Sequence, residues 1–480
     1  MNDDKGNFYR KSSVIIKKES LISSYIGDIT GSYDFIKELG AGAFGKVFLV
    51  EDKNTKKLYA CKRLSKKKIK NIDSIISEIN LLKTLDHPNI VKLFEIFEDK
   101  CYLYLVMEEL KGGELFDRIL SRAQNKNYYT EKEVSRLFKQ ILSGINYCHE
   151  NGICHRDIKP ENIVFADKSE DSSVKIIDFG LSKSFDHSKS HNQNMKTRVG
   201  TCFYMSPEVI KGEYNEKCDV WSLGVLLYVL ISGRAPFNGA DDNAIIKKVT
   251  DGKFEFKWEG WKNISDDCKN LIKWMLTVDV KTRPSAKEVL QNPWISLGAP
   301  KASDIPIHIE LDELKQYGGM DKLKKTVSGF IAFRLSEEDV KDLNQIFQSI
   351  DKNGDGSLSI EELKNGLELI KKTKNLDITT DELEKIFEAI DLDNNGVINY
   401  NEFITATFDR KKAFSKENIY QAFKMFDVDK SGKISLKEIE KIIQPESKED
   451  QEEILGIFGK ADKNGDGEID FDEFLTAFTD

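Results

Sequence analysis

Cysteine is scarce in this chain and badly placed for a covalent framework. All seven lie between Cys61 and Cys268, no two form a Cys-x-x-Cys pair, and the C-terminal half has none. That usage suits neither a disulfide scaffold nor a thiolate zinc site and points to a reducing, cytoplasmic setting. No run of 18 apolar residues occurs, so no membrane-spanning helix is expected, and no secretory signal is visible. Asn2 follows Met1, so the glycine that N-myristoylation needs is missing; if Met1 is the native start, that membrane anchor is not expected. The formal net charge of −9 makes nucleic acid an unexpected partner.

At 480 residues the chain exceeds one core, so two or three domains are expected. Its charge is asymmetric: residues 336–480 carry 35 acidic and 19 basic side chains, net −16, whereas 1–335 carry net +7. An acidic, cation-binding C-terminal part drawn to a basic neighbouring segment is one reading; two solvated surfaces is the other. The pattern divides into a variable N-terminal extension (1–32), loosely ordered in expectation; a unit over 33–294; a junction over 295–335 containing Pro300 and Pro306; and two further units over 336–408 and 409–480. Within 33–294 short β-type segments come first. Ile75, Ile76, Ile79 and Leu82 then mark a helix over 72–85, and beyond Glu114 the pattern is mostly helical.

Leu39-Gly40-Ala41-Gly42-Ala43-Phe44-Gly45-Lys46-Val47 fits G-x-G-x-x-G-x-V. Glycines there let backbone N–H groups approach phosphate oxygens. Alone the match is weak, but β-type residues rather than a helix follow it, and Tyr59-Ala60-Cys61-Lys62 comes next. Lys62 can hold phosphates, and Glu78 on the following helix can pair with it. His155-Arg156-Asp157-Ile158-Lys159-Pro160-Glu161-Asn162 and then Asp178-Phe179-Gly180 complete a signature that resembles the protein kinases over roughly 33–294. The resemblance implies a bilobal α+β fold, a β-rich N-lobe and a helical C-lobe, that binds ATP with Mg²⁺.

It also implies roles. Asp157 would accept the substrate hydroxyl proton, Asn162 and Asp178 would hold Mg²⁺, and Lys159 would neutralise charge on the γ-phosphate. Lys159 in this loop implies a Ser/Thr enzyme. Met107 would stand behind adenine, Glu108 to Leu110 would form the hinge, and Val47, Ala60 and Val164 would sandwich the base. Glu114 would reach the ribose and, with Glu161, would receive a basic residue before the Ser/Thr of a protein substrate, or both are simply solvated. Ser206-Pro207-Glu208 would close the activation segment with Glu208 paired to Arg283, and Asp219 would anchor the catalytic loop. Thr197 occupies a position phosphorylated in many kinases and acidic in many others. Lys62, Glu78, Asp157, Asn162 and Asp178 are all present, which opposes a pseudokinase.

Four twelve-residue loops follow, each with Gly sixth and Glu twelfth. The first offers Asp351, Asn353, Asp355, the Ser357 carbonyl, Ser359 through water and Glu362. The second offers Asp391, Asp393, Asn395, the Val397 carbonyl, Asn399 and Glu402. The third offers Asp427, Asp429, Ser431, the Lys433 carbonyl, Ser435 and Glu438. The fourth offers Asp462, Asn464, Asp466, the Glu468 carbonyl, Asp470 and Glu473. Oxygen ligands at this spacing are EF-hand Ca²⁺ sites, four of them, in an all-α, calmodulin-like unit. An apolar eighth residue (Leu358, Ile398, Ile434, Ile469) suits pairing of the loops through a short sheet. With its extra carboxylate, Asp470, the fourth loop is expected to bind tighter than the third.

Between the two units, Met320 to Leu335 places Leu323, Val327, Phe330 and Ile331 on one helical face, with Lys322, Lys324, Lys325 and Arg334 around it. A basic amphipathic helix fits an opened EF-hand groove; a plain connecting helix is the alternative. Gly318-Gly319 weakens its start. The order kinase, junction, four EF-hands closely resembles the calcium-dependent protein kinases of plants and apicomplexan parasites. That resemblance implies a monomeric kinase restrained by its junction, whether as pseudosubstrate or as external clamp, and released when its own lobes capture the junction helix. Two rivals are a kinase regulated by separate calmodulin and a non-enzymatic Ca²⁺-dependent scaffold.

Overall fold

The computed structural model describes residues 22–41, 45–68, 79–124, 129–179, 183–184, 203–212, 214–239, 242–257, 261, 264–298, 322–366, 380–391, 395–408, 413–443 and 448–479. Among the sites expected above, Gly42, Glu78, Thr197 and Asp393 lie outside them, as do Gly180, Gly318 and Gly319.

Segments rich in β-branched and aromatic residues build a six-stranded sheet. Its strands are β1 (Ser23–Ile26), β2 (Tyr33–Ala41), β3 (Gly45–Asp52), β4 (Leu58–Ser65), β5 (Leu93–Glu98) and β6 (Tyr102–Met107), in the order β1-β5-β6-β4-β3-β2. β1 lies parallel to β5 with Ser23 opposite Glu95. This corrects the reading of 1–32 as loosely ordered. Within it Ile22 and Ile29 are buried in the lobe, and Asp28 caps a 3-10 turn by accepting from the Thr30 amide at 2.8 Å. The N-lobe therefore includes residues 22–32 ahead of Tyr33; four residues are too few for a period to show. The expected helix is present over 79–84, and 71–78 lie outside the described residues.

The second lobe is helical: α1 (Leu115–Gln124), α2 (Glu131–Glu150), α3 (Pro207–Lys211), α4 (Lys217–Ser232), α5 (Asp242–Asp251), α6 (Asp266–Met275), α7 (Ala286–Leu290) and α8 (Pro293–Gly298). α2 starts at a capping box, Thr130 and Glu133 satisfying each other's backbone N–H. α4 is apolar nearly all round and buries Trp221, Leu223, Val225, Leu226 and Leu227, as a central core helix does. Short strands β7 (Ile153–Cys154), β8 (Ile163–Phe165), β9 (Val174–Ile176) and β10 (Lys183–Ser184) carry the segments around the cleft, β8 pairing with β9 and β10 with β7.

The junction forms α9 (Lys322–Phe333), followed by α10 (Glu337–Ile350). The EF-hand units continue through β11 (Ser357–Leu358), α11 (Thr380–Ile390), β12 (Ile398–Asn399), α12 (Tyr400–Thr407), α13 (Lys416–Phe426), β13 (Ile434–Ser435), α14 (Leu436–Ile443), α15 (Lys448–Ala461), β14 (Glu468–Ile469) and α16 (Phe471–Thr479). β11 pairs with β12 and β13 with β14, so the loops couple two by two as their apolar eighth residues suggest.

α9 packs on α12, α13, α14 and α15. One expectation fails here. α9 is not apolar on one side and wet on the other: Thr326, Ser328, Ala332, Phe333 and Arg334 are buried along with Leu323, Val327, Phe330 and Ile331. The EF-hand lobes cover one side and the N-lobe another, Phe333 meeting Phe94 edge-on at 5.4 Å. Further contacts join the halves: Lys57 Nζ donates to Asn418 Oδ1 (2.8 Å), Gln421 Nε2 to Asp52 (3.3 Å), the Asn401 amide to Asp86 (2.8 Å), and Lys430 sits 4.6 Å over the Tyr25 ring of β1. No helix among the described residues is long and apolar enough to cross a membrane.

Ile29 is 1% exposed, so Ile29→Ala should destabilise the N-lobe by about 2–4 kcal/mol, read as a lower thermal midpoint of the purified chain.

Candidate active site and calcium loops

Asp219, in the first turn of α4 and fully buried, organises the catalytic loop. Its carboxylate accepts the amides of His155 (2.8 Å) and Arg156 (2.7 Å) and faces His149 Nε2 at 2.8 Å. Burial alone would raise its pKa; the His149 contact and the backbone donors hold it below the usual carboxylate range. The clasp supports a strained backbone, for Arg156 has φ +68°. Asp178 is similar at φ +62°. Non-glycine residues in this region cost on the order of 1–3 kcal/mol, and they cluster where geometry serves chemistry.

Asp157 is 9% exposed. Its Oδ2 accepts from Lys159 Nζ at 2.7 Å and Asn162 Nδ2 at 3.0 Å, while Oδ1 is buried without a hydrogen-bond partner. An orphaned carboxylate oxygen at a cleft is an acceptor awaiting a donor, as a base for a substrate hydroxyl must be. Asn162 spends its amide on Asp157, including the Asp157 carbonyl at 2.7 Å, which leaves its own carbonyl oxygen for a cation. Across the cleft Lys62 Nζ meets Asp178 Oδ1 at 3.0 Å. These oxygens fit a hard divalent ion accompanying ATP, which Asn162 and Asp178 could hold.

The nucleotide side is set by strand register. Val47 stands opposite Lys62, and Ala60 opposite Met107 where β6 runs into the hinge. Gly45 must be glycine because a Cβ would lie 2.0 Å from the Arg63 carbonyl of β4; Gly40 has nothing within 4 Å. Leu39 is half exposed, and Val164 on β8 bridges to Glu114. Burial, then the charges of Asp117 and Glu161, raise the Glu114 carboxyl above the usual carboxylate range. Hinge residues Met107, Glu108 and Leu110 are part-buried. The Glu108 side chain turns back under the hinge, accepting the Lys92 amide at 2.7 Å and pairing with fully buried Lys175 at 3.4 Å. That role for Lys175 was not legible, because a lysine within a β-type run reads as solvated. Glu208 and Arg283 form the expected bidentate pair, at 2.5 and 2.9 Å.

The calcium loops are wound as ligand cages. In the first, Asp351 accepts Gly354 N (2.7 Å) and Gly356 N (3.0 Å), and Glu362 folds back onto the amides of Lys352 and Ser359, each at 3.0 Å. Asp355 accepts the Ser357 amide, and Asn353 bonds Asp355. The second repeats this with Asp391 on Asn395 and Gly396 and with Glu402 on Asn399, with Val397 next in the loop. The third has Asp427 on Ser431 and Gly432, and Glu438 on Val428 and Ser435. The fourth has Asp462 on Gly465 and Gly467, Glu473 on Lys463 and Asp470, and Asn464 on Asp466. Carboxylate oxygens of Asp427, Asp429 and Glu438 lie within 4.8 Å of one another. Burial, with Asp355 and Glu362 beside it, pushes the Asp351 carboxyl up to about 7. Oxygen donors drawn this close fit Ca²⁺. One feature was missed in the sequence: the Lys433 side chain crosses to the fourth loop and pairs with Asp466 at 2.6 Å, also nearing Glu468.

Comparison with known proteins agrees with this geometry. Residues 33–295 match the protein kinase domain family, and 340–408 and 416–479 each match the EF-hand domain pair. The chain is 43% identical to calcium-dependent protein kinase 4 of Plasmodium berghei, over 98% of this chain and 88% of that one. It is 40% identical to that organism's calcium-dependent protein kinase 3, over 97% and 83%, and 38% to calcium-dependent protein kinase 9 of Arabidopsis thaliana, over 95% and 83%. The chain belongs to the calcium-dependent protein kinases. It is thus a Ser/Thr protein kinase with calcium dependence built into the same polypeptide.

Because Lys433 occupies a ligand of the fourth loop, Lys433→Met should raise calcium affinity there severalfold, a modest change as for any exposed charge pair, measured by calcium titration of the purified kinase.

Proposed function

We propose that this kinase phosphorylates Ser/Thr in a basic context, as a cytoplasmic monomer, and that four Ca²⁺-loaded loops activate it by seating the EF-hand lobes and α9 against the kinase lobes. Asp157 Oδ1 takes the substrate hydroxyl proton. Lys159 holds Asp157 in place and faces the transferring phosphoryl group, while Lys62 and the glycine loop orient the phosphates. Asn162 and Asp178 hold the Mg²⁺, which supplies charge neutralisation when bound. Glu114 and Glu161 receive the basic substrate residue, and Thr197 is a candidate modification site.

One observation carries the regulatory part. Arg334, directly after α9, pairs with Glu95 of β5 at 2.6 Å, with both side chains buried; Tyr33 donates to the same carboxylate at 2.9 Å. Burial opposes the Arg334 charge, but Glu95, Tyr59 and Tyr33 outweigh it and raise its pKa. The junction thereby braces the N-lobe, the lobe that carries Lys62, which supports an activating role for this contact in the seated state. Separate calmodulin is disfavoured, since the chain's own lobes already enclose α9.

The direct test is phosphorylation of a basic Ser peptide by the purified chain in chelator and in micromolar Ca²⁺. Strong calcium stimulation is expected, with Asp157→Asn lowering kcat roughly 10²–10⁴-fold at near-unchanged ATP KM; equal rates with and without calcium would overturn the reading. Arg334→Met should raise the calcium needed for half-activation at least tenfold, because an unpaired buried Glu95 costs about 3–5 kcal/mol. Glu95→Gln combined with it should recover part of that loss.

A further inference from the structure

The first and fourth calcium loops begin with the same six residues, Asp-Lys-Asn-Gly-Asp-Gly, at 351–356 and 462–467. Their backbones agree: Gly354 and Gly465 have φ +68° and +73°, Gly356 and Gly467 +79° and +85°. Their leading carboxylates accept the same two amides. The surroundings differ. A Cβ on Gly465 or Gly467 would meet nothing within 4 Å, and the same holds for Gly396 and Gly432 of the other loops. A Cβ on Gly354 would lie 2.9 Å from Leu290 of α7, and one on Gly356 would lie 2.7 Å from both His87 and Tyr147. The Gly354 carbonyl accepts Ser143 Oγ and Asn146 Nδ2 from α2, each at 3.3 Å. Gln348, just ahead of this loop, donates to Asn89 at 3.3 Å.

We propose that the first loop is the docking key of the EF-hand unit: its outer face is shaped to the kinase C-lobe, so its calcium site is coupled to seating far more strongly than its sequence twin at Asp462. The sign follows from charge. Against the C-lobe Asp351 is buried and Asp355 half-buried, where their twins Asp462 and Asp466 are half-buried and exposed, and carboxylates taken from water uncompensated are costly. A divalent ion held among them removes that cost, so filling this loop favours seating, and by reciprocity the seated C-lobe strengthens this one site. The fourth loop, exposed at its glycines, has no such partner among the described residues. The inference rests on the calcium-activated reading above and names the loop through which the docked state is read.

The twin glycines supply a matched test. Gly354→Ala and Gly465→Ala introduce the same methyl at the same loop position and nearly the same φ, so intrinsic strain is shared and only one meets Leu290. Seating is followed in the full chain by hydrogen exchange of the α2 amides around 143–147 during calcium titration, with activity read in parallel. Gly354→Ala should raise the midpoint for protection roughly fivefold or more, while Gly465→Ala leaves it within about twofold. Leu290→Ala should restore part of the loss in Gly354→Ala by opening space for the methyl. Equal shifts in the twins, or no rescue, overturns the inference even if the wild type remains calcium-activated. A wild type whose activity and protection ignore calcium overturns the activation reading itself.

Discussion

A guanidinium taken out of water must meet a carboxylate, and this molecule is joined across its halves by that requirement. Arg334 and Glu95 are 239 positions apart in sequence and 2.6 Å apart in space. Such a pair contributes little net stability relative to apolar residues of the same shape, because desolvation offsets attraction. Its value lies in register. A greasy helix can slide or rotate in a greasy groove, whereas α9 can place Arg334 on Glu95 in one position only. The aromatic contact of Phe333 with Phe94 and the approach of Lys92 to the Phe333 and Tyr400 rings then fall into line.

The stretch from Asp86 to Lys92 is where calcium-binding and nucleotide-binding parts share atoms. Asp86 accepts the Asn401 amide and Asn89 accepts from Gln348, both EF-hand residues. On its other side Val91 N donates to Ile176 of β9, and Lys92 N to the Glu108 carboxylate under the hinge. β9 leads within two residues to Asp178. A displacement of the lobes therefore acts on backbone that also holds Glu108 and the strand leading to Asp178. His87 sits in the same stretch, yet burial and the Lys175 charge push it down to about 3, so it stays neutral and gives this face no switch near neutral pH.

What could be read from the sequence was what chemistry demands locally. Phosphoryl transfer needs particular side chains at fixed short spacings, and so does an oxygen cage for Ca²⁺; the described members of both sets lie at the cleft and in the four loops. The docking residues were opaque for a physical reason. Asn146, Ser143 and Leu290 read as ordinary helix residues, Gly354 as an optional loop glycine, and Glu95 as one more polar residue on a strand. Their meaning comes from distant partners, more than 200 positions away for Asn146, Ser143 and Glu95. α9 was misread in one respect for the same reason: helical periodicity reports a single partner, and this helix has two. β1 escaped notice because four residues paired in parallel carry no pattern of their own.

The charge asymmetry seen at the outset returns here as a constraint on assembly. The EF-hand part carries net −16 against +7 elsewhere, enough to attract at long range but not to specify a fit. Most of the contacts that specify it are neutral or singly charged hydrogen bonds, such as Asn146 to Gly354, Lys57 to Asn418 and Gln421 to Asp52. The two tasks are thereby divided. Carboxylates clustered for metal repel one another and resist burial while bare, so they oppose close packing in the absence of cations. Four divalent ions would cancel roughly half of the excess charge, leaving the hydrogen bonds to set the position.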